Sequence, residues 1–148
     1  LVIEKVDGPN HIKVVEEFGY EMYLHCGAIR KVLLAYQSPS FIEEYVKKII
    51  EHDHAFPRVD AGDLRDELKK IRQSGYAITY GEYVNDAVGI GAPVFNSEGE
   101  LAGSIGIIAP TIRLNSEELL KVQLEYVQKF AADLSRDIGY SPLFSSRA

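Results

Sequence analysis

Two neighbouring segments, 87–96 and 101–108, alternate very small residues with bulky apolar ones. Alternate residues of a strand point to opposite faces of a sheet, so each segment is predicted to be a strand with one bare face. Asn96-Ser97-Glu98-Gly99 between them predicts a hairpin. Simple pairing around Ser97-Glu98 places these pairs on the bare face: Gly91 with Ser104, Gly89 with Gly106, and Pro93 with Ala102. The opposite face would carry Val88, Ile90, Val94, Leu101, Ile105 and Ile107.

The bare face allows two interpretations. Glycine in strand interiors weakens a sheet, so several glycines together need a physical reason. Either a helix packs closely against them, or the missing side chains leave space for a small ligand. Binding sites of the second kind are concave, mostly apolar and fitted with a few polar groups. Candidate polar groups nearby are Thr79, Tyr80, Glu82 and Ser104.

The remaining pattern predicts an α+β fold, with a mainly antiparallel sheet and helices on its faces. Asp60 or Asp63 can cap one helix that Gly75 ends, and Asn115 with Glu118 fits a capping box for the last helix. Turn residues at 7–10 suggest a further hairpin near the N-terminus. The predicted strands are 1–6, 11–18, 76–84, 87–96 and 101–108; the predicted helices are 28–36, 39–52, 64–74 and 116–138.

Composition limits the possible functions of the chain. Its 148 residues suit one domain, and we expect 1–148 to form a single unit. A formal charge of -6 argues against direct contact with nucleic acid, which requires a basic face. The single cysteine, Cys26, excludes an internal disulfide and fits a reducing cytoplasm. No apolar run approaches the roughly 20 residues that cross a bilayer, so no membrane association is expected.

The sequence contains only weak candidates for a catalytic or metal-binding site. Cys26 follows His25, but adjacent residues of an extended segment point apart and rarely form a nucleophile–base pair. The triplet His52-Asp53-His54 lacks a further ligand at zinc-site spacing. We therefore expect no enzyme activity, no metal and no cofactor, while a cysteine hydrolase stays as a minor alternative.

Four stretches in order resemble the C-terminal effector-binding domain of the IclR family of bacterial transcription regulators. The run LHCGAIRKVLLA at 24–35 is similar to the family's L-H-A-x-A-x-G-K-x-x-L-A segment. Residues 64–76 resemble L-x-x-x-L-x-x-I-R-x-x-G-Y, and 82–95 resemble E-x-x-x-G-x-x-x-I-A-A-P-V-F. The run GSIG at 103–106, with Pro110 and Arg113, resembles S-x-S-G-P-x-x-R.

The resemblance implies a GAF-like fold with a curved sheet. It also implies a winged helix-turn-helix that precedes Leu1 and supplies all contact with DNA, and association as a homodimer or homotetramer. A sensor module of the GAF or PAS kind with another output is the alternative. The family pocket, together with the bare face, gives these candidate ligand-binding residues: Cys26, Ala28, Ile29, Thr79, Gly89, Gly91, Ser104, Gly106 and Ile108.

Two departures from the family pattern bear on the ligand. Thr79, Gly89, Gly106 and Ile108 stand where members that sense small oxo acids have acidic, thiol or hydroxyl groups, which suggests a larger or more apolar organic acid or aromatic compound. Arg30 replaces the usual glycine before Lys31. Its guanidinium would pair either with a ligand carboxylate or with an acidic group across a subunit contact.

Overall fold

The computed structural model describes residues 1–14, 22–52 and 57–142. The chain is an α+β protein, as the sequence predicts. The elements, in order, are α1 (Ala28–Ala35), α2 (Pro39–Tyr45) with a π-helical continuation (Val46–Ile50), α3 (Ala61–Ser74), β1 (Ala77–Tyr80), β2 (Ala87–Phe95), β3 (Leu101–Pro110), a 3-10 turn (Thr111–Arg113) and α4 (Glu117–Asp137).

Local chemistry explains where the helices begin and end. Asp60 caps α3 by accepting hydrogen bonds from the backbone N–H groups of Gly62 and Asp63. Gly75 ends α3 in the left-handed region, at φ 76°. The predicted capping box at the start of α4 is wrong by one residue. Ser116, not Asn115, has the extended backbone of a cap, and its side chain accepts from the N–H of Leu119.

The described strands form an antiparallel sheet in the order β1-β2-β3. Gly91 pairs with Gly106, Gly89 with Ile108, and Pro93 with Ser104, so the predicted pairs are wrong by two positions. The turn accounts for one residue of this shift, because it pairs Phe95 with Leu101 and not with Glu100. A bulge at the adjoining Val94/Phe95 step accounts for the second residue. Because side chains alternate with period two, a shift of two residues leaves the predicted faces of β2 in place.

Past the bulge, the prediction fails for the first residues of β3. Val94 pairs with Gly103 and Phe95 with Leu101, so Ala102 is the extra residue and does not face Pro93. Leu101 lies on the far side of this irregularity, and it does not share the face of Ile105.

The bulky face of the sheet packs against α4. Val88, Ile90 and Val94 lie fully or nearly buried against Val127 and Ala131. Ser135 ties the helix to the end of β2, because its hydroxyl accepts a hydrogen bond from the N–H of Phe95 at 3.0 Å. A second core joins α1 to α3 on the other side of the sheet. Its largest buried members are Leu34, Leu64, Leu68 and Ile71.

The predicted strand at 1–6 is wrong, and residues 11–14 form no strand either. Leu1, Ile3 and Val6 are 89%, 85% and 94% exposed, so their alternation buries nothing. An apolar alternation stabilises a strand only where the sheet has a surface that covers it. The rest of the predicted returning strand, 15–18, lies outside the described residues, as do Asp53 and His54 of the His52-Asp53-His54 triplet.

Candidate ligand-binding site

The site is built around the start of α1, which lies on the glycine face of β2. Gly27 precedes the helix at φ 84°, a conformation that glycine adopts without strain. It carries no side chain that could cap the helix, and other elements supply the acceptors. The N–H of Ala28 donates to Oγ1 of Thr79 at 3.1 Å, and the N–H of Gly27 donates to Oε2 of Glu82 at 3.0 Å.

Part of the bare face is filled by α1 itself. A Cβ atom on Gly91 would lie 2.9 Å from the Cα of Ile29, whereas one on Gly106 would first meet the carbonyl oxygen of Ile90 in the neighbouring strand and then Cγ1 of Ile29 at 2.6 Å. The hydroxyl of Ser104 donates to the carbonyl of Ile29 at 2.9 Å. At Gly91 and Ser104 the close packing of a helix is the reason for the small residues, and at Gly106 the backbone of the neighbouring strand also excludes a side chain.

Beside this contact the bare face leaves a cavity of about 30 Å³. Its walls are the first turn of α1, the loop at 81–86 and the ends of the strands. A volume of this size holds water-sized molecules, whereas metabolite sites measure about 300–1,000 Å³. A metabolite would therefore have to displace side chains that close the cavity. The lining residues are Gly27, Ala28, Ile29, Arg30, Thr79, Gly81, Glu82, Tyr83, Val84, Ala87, Gly89 and Ile108.

The structure brings together only part of the predicted site. The predicted residues that line the cavity are Ala28, Ile29, Thr79, Gly89 and Ile108. The others, Cys26, Gly91, Ser104 and Gly106, do not line it. Gly91, Ser104 and Gly106 lie under Ile29, and Cys26 is 1% exposed with its thiol directed at the carbonyl of Glu82, 3.5 Å away. A ligand-binding role stays a prediction for all nine.

A buried lysine connects the wall of the cavity to the rest of the fold. The ammonium group of Lys31 lies 2.7 and 2.8 Å from the carboxylate oxygens of Glu67 on α3. It lies 2.5 Å from Oε1 of Glu82 in the 81–86 loop. This cluster was not predicted. The sequence feature that could have indicated it is a lysine next to Val32 and near Leu34 and Ala35, on a short helix whose other buried residues are apolar.

Arg30 and Tyr83 lie next to each other in the cavity wall. The guanidinium carbon of Arg30 is 4.7 Å from the centre of the Tyr83 ring, within the range of a cation–π contact. Nη1 of Arg30 also donates to the carbonyl of Cys26 at 3.3 Å. The arginine side chain thus folds back over the start of its own helix, where it faces the 81–86 loop.

His25 and Cys26 do not form a catalytic pair. Nε2 of His25 lies 2.9 Å from the carbonyl of Pro57, which can only accept, so this nitrogen carries the proton. Nδ1 then accepts from the hydroxyl of Tyr45 at 2.9 Å. Burial lowers the pKa of His25 and favours this neutral form. Both ring nitrogens are therefore engaged away from the thiol of Cys26.

Comparison with known proteins identifies the family. Residues 1–136 match the family described as "Bacterial transcriptional regulator IclR C-terminal". The chain belongs to this family.

No helix in the described part of the chain is long and apolar enough to cross a bilayer.

Individual relatives agree with this assignment. The chain is 29% identical to the HTH-type transcriptional regulator KipR of Bacillus subtilis over 147 residues, which is 95% of this chain and 56% of KipR. It is 27% identical to KdgR of Dickeya chrysanthemi over 141 residues, which is 95% of this chain and 46% of KdgR. The crystal structure of Thermotoga maritima IclR superposes with a TM-score of 0.80 at 26% identity and covers 93% of this chain and 56% of that one. The chain thus spans about half the length of these relatives.

Proposed function

We propose that this chain is the effector-sensing part of a bacterial transcription regulator, and that the cavity beside α1 receives a small organic metabolite. The observation that carries the proposal is the cavity itself. The start of α1 packs on the glycine face of β2, and beside it a small cavity bordered by Gly89 combines apolar walls with the polar side chains of Thr79, Glu82 and Arg30. This composition is typical of small-molecule sites.

The walls suggest the class of metabolite. Ala28, Val84, Ala87 and Ile108 provide apolar surface, and Arg30 provides a cation. An organic acid or an aromatic compound would use both features. Because the cavity is small when closed, binding would require the 81–86 loop or the Arg30 side chain to move outward.

That movement provides a route for signal transmission. Glu82 belongs to the loop, and its ion pair with Lys31 links the loop to α1. Lys31 also pairs with Glu67, and this second ion pair links α1 to α3. A metabolite that binds the open arrangement more tightly shifts the population toward it, and only this difference in affinity can act on the output. We propose that the output is a DNA-binding segment outside this chain. The formal charge of -6 supports this assignment, because a negatively charged chain is poorly suited to contact DNA phosphates itself.

We further propose that copies of the chain associate as a homodimer or homotetramer in the cytoplasm, and that the bound metabolite is sensed without being converted. Association is supported by an apolar stripe along α4 that the described residues leave exposed. Tyr126 and Phe130 stack at its centre, with ring centroids 6.3 Å apart. The other members of the stripe are Leu119, Val122, Leu134 and Ile138.

A screen of thermal stability against carboxylic acids, sugar acids and aromatic compounds tests the proposal. A true ligand at a hundredfold excess over its Kd stabilises the fold by about 2.7 kcal/mol. Ile108→Trp should abolish this response, because it fills the cavity. Ile112→Trp, which makes the same change at an exposed position outside the cavity, should retain it. A response that survives in Ile108→Trp would place the ligand elsewhere.

A further inference from the structure

The 81–86 loop is attached to the sheet at both of its ends. The N–H of Gly81 donates to the carbonyl of Ala87 at 2.8 Å, which closes the base of the loop. The carbonyl of Asp86 accepts from the N–H of Thr111, just after β3, at 2.7 Å. Gly81 and Asp86 both have a positive φ, of 62° and 59°, so the chain turns sharply at each end. The base is thereby fixed, while the part between these ends lines the cavity.

Glu82 attaches this middle part of the loop to α1. Its Oε2 accepts from the N–H of Gly27 at 3.0 Å, and its Oε1 lies 2.5 Å from the ammonium group of Lys31. The Glu82 side chain is 24% exposed, whereas that of Lys31 is 2% exposed. The carboxylate therefore borders solvent while it holds a buried partner. A carboxylate that moves into water regains its hydration, which offsets part of the attraction it loses.

Lys31 keeps a partner when Glu82 leaves. Both carboxylate oxygens of Glu67 on α3 lie within hydrogen-bonding distance of the same ammonium group, at 2.7 and 2.8 Å. Separation of a buried ion pair is costly mainly because it leaves a buried charge without compensation. Here Glu67 compensates Lys31 whether or not Glu82 is in place. The cluster therefore permits a movement of the loop that a simple buried pair would oppose.

We propose that the 81–86 loop is a lid over the cavity and that Glu82 is its latch, which separates from Lys31 while Glu67 keeps the lysine paired. In the open form the middle of the loop moves away from α1, and its base stays on the sheet. Local openings of this kind occur in folded proteins without global unfolding. That the lid admits a metabolite rests on the proposed function, but its movement requires no ligand.

Two neighbouring backbone amides report on the latch and on the helix separately. The N–H of Gly27 donates to Glu82, whereas the N–H of Ala28 donates to Oγ1 of Thr79 at 3.1 Å. Opening of the lid removes the acceptor of Gly27 and leaves that of Ala28 in place. Hydrogen exchange is measured by NMR at several low urea concentrations and corrected for intrinsic rates. In the unaltered chain we expect Gly27 to exchange at least about tenfold faster than Ala28, with a weaker dependence on urea.

Two variants of the cluster should act on the lid in opposite directions. Glu82→Gln keeps an oxygen that can accept from Gly27 but removes the charge that pairs with Lys31. Exchange at Gly27 should rise by a further factor of about ten, while Ala28 stays within about threefold. Glu67→Gln directs the charge of Lys31 to Glu82, so exchange at Gly27 relative to Ala28 should stay the same or slow down. Glu98→Gln, in the exposed turn between β2 and β3, is the control and should change neither amide.

Three results would overturn the inference. The first is exchange of Gly27 and Ala28 at equal rates with equal urea dependence, because the loop would then open only with the helix. The second is an unchanged rate at Gly27 in Glu82→Gln. The third is an equal rise in Glu67→Gln and Glu82→Gln, which would assign the cluster a purely structural role. None of these results bears on the thermal screen. A lid that opens as expected in a chain for which that screen finds no ligand leaves the inference in place and removes the proposed function.

Discussion

The ammonium group of Lys31 lies 2.5 Å from a carboxylate oxygen of Glu82, although only 2% of the lysine side chain reaches solvent. With Glu67 on its other side, this lysine connects α1, α3 and the loop that closes the cavity. Ion pairs of this kind contribute little net stability relative to an apolar replacement of the whole cluster, but removing one partner leaves charges unpaired.

Replacement of Lys31 by methionine should therefore destabilise the fold. Loss of one partner of a buried pair costs about 3–5 kcal/mol, and we expect about 2–3 kcal/mol because the carboxylates of Glu67 and Glu82 retain some solvent contact. Urea unfolding measures the change. Lys48→Met, at the exposed pair with Glu44, is the control and should leave the midpoint unchanged. Equal midpoints for the two variants would show that the buried cluster has no structural role.

Gly91→Ala should also destabilise the fold, because its Cβ would lie 2.9 Å from both Cα and N of Ile29. These are backbone atoms, so α1 as a whole would have to move, at a cost of about 1–3 kcal/mol. Gly103→Ala is the matched control in the neighbouring strand, where nothing lies within 4 Å of the added atom. Chemical unfolding that ranks the two variants in the opposite order would contradict the packing described for α1.

His25 should make the stability of the fold depend on pH. Its pKa in the folded state is lowered from 6.5, mainly by burial. Below pH 6.5 the unfolded chain therefore binds a proton that the folded chain does not, so stability is complete above this pH and falls as the pH decreases toward the folded-state pKa. One such group contributes a slope of at most about 1.4 kcal/mol per pH unit.

The measurement is urea unfolding between pH 5 and pH 8. His25→Gln should flatten the acid side of the profile, whatever its effect on stability at neutral pH. His11→Gln, at an exposed histidine, should keep the slope of the unaltered chain. If the slope persists in His25→Gln, another group is responsible for it.

Cys26 should react slowly with iodoacetamide in the folded protein, because its thiol is buried and both ring nitrogens of the adjacent His25 are engaged with Tyr45 and Pro57. Unfolding in urea should raise the rate to that of an unstructured peptide thiol. Mass spectrometry at neutral pH follows the modification. Rapid alkylation of the folded chain would instead indicate a reactive thiolate and revive the hydrolase alternative.

The apolar stripe on α4 should be required for self-association. Tyr126→Asp with Phe130→Asp places two charges at its centre and should convert the assembly to monomers in sedimentation velocity experiments. Ile112→Asp alters an exposed apolar residue away from α4 and should leave the assembly intact. Sedimentation of the unaltered chain as a monomer, or of the double variant as an oligomer, would contradict association through this helix.

The faces of β2 were predictable because they depend on a local rule. Val88 and Ile90 had to share a face opposite Gly89 and Gly91, since side chains alternate along any strand. The exact register between β2 and β3 was not predictable, because the turn and the bulge at the end of β2 each shift the pairing by one residue. The helix ends at Asp60 and Gly75 were also local, since a capping side chain or a left-handed glycine acts on its immediate neighbours.

The candidate site depended on contacts between distant segments. Alternation showed that β2 and β3 have a bare face, but it could not show that Ile29 fills the face at Gly91 and that only a small cavity remains beside Gly89. Lys31 meets partners that are 36 and 51 residues away in the chain, and nothing local to Lys31 names them. The exposed segment at Leu1–Val6 illustrates the same limit, because a pattern suited to a strand forms one only where tertiary structure provides a surface to cover it.

The order of residues alone therefore determined the faces of β2, the ends of α3 and the family motifs, since each reflects interactions between near neighbours or a direct likeness of sequence. The tertiary structure decided how much of the bare face becomes a cavity, which side chains close it and how Lys31 is neutralised. Those properties depend on the distance at which α1 packs against the sheet, and that distance is set by all the elements in contact together.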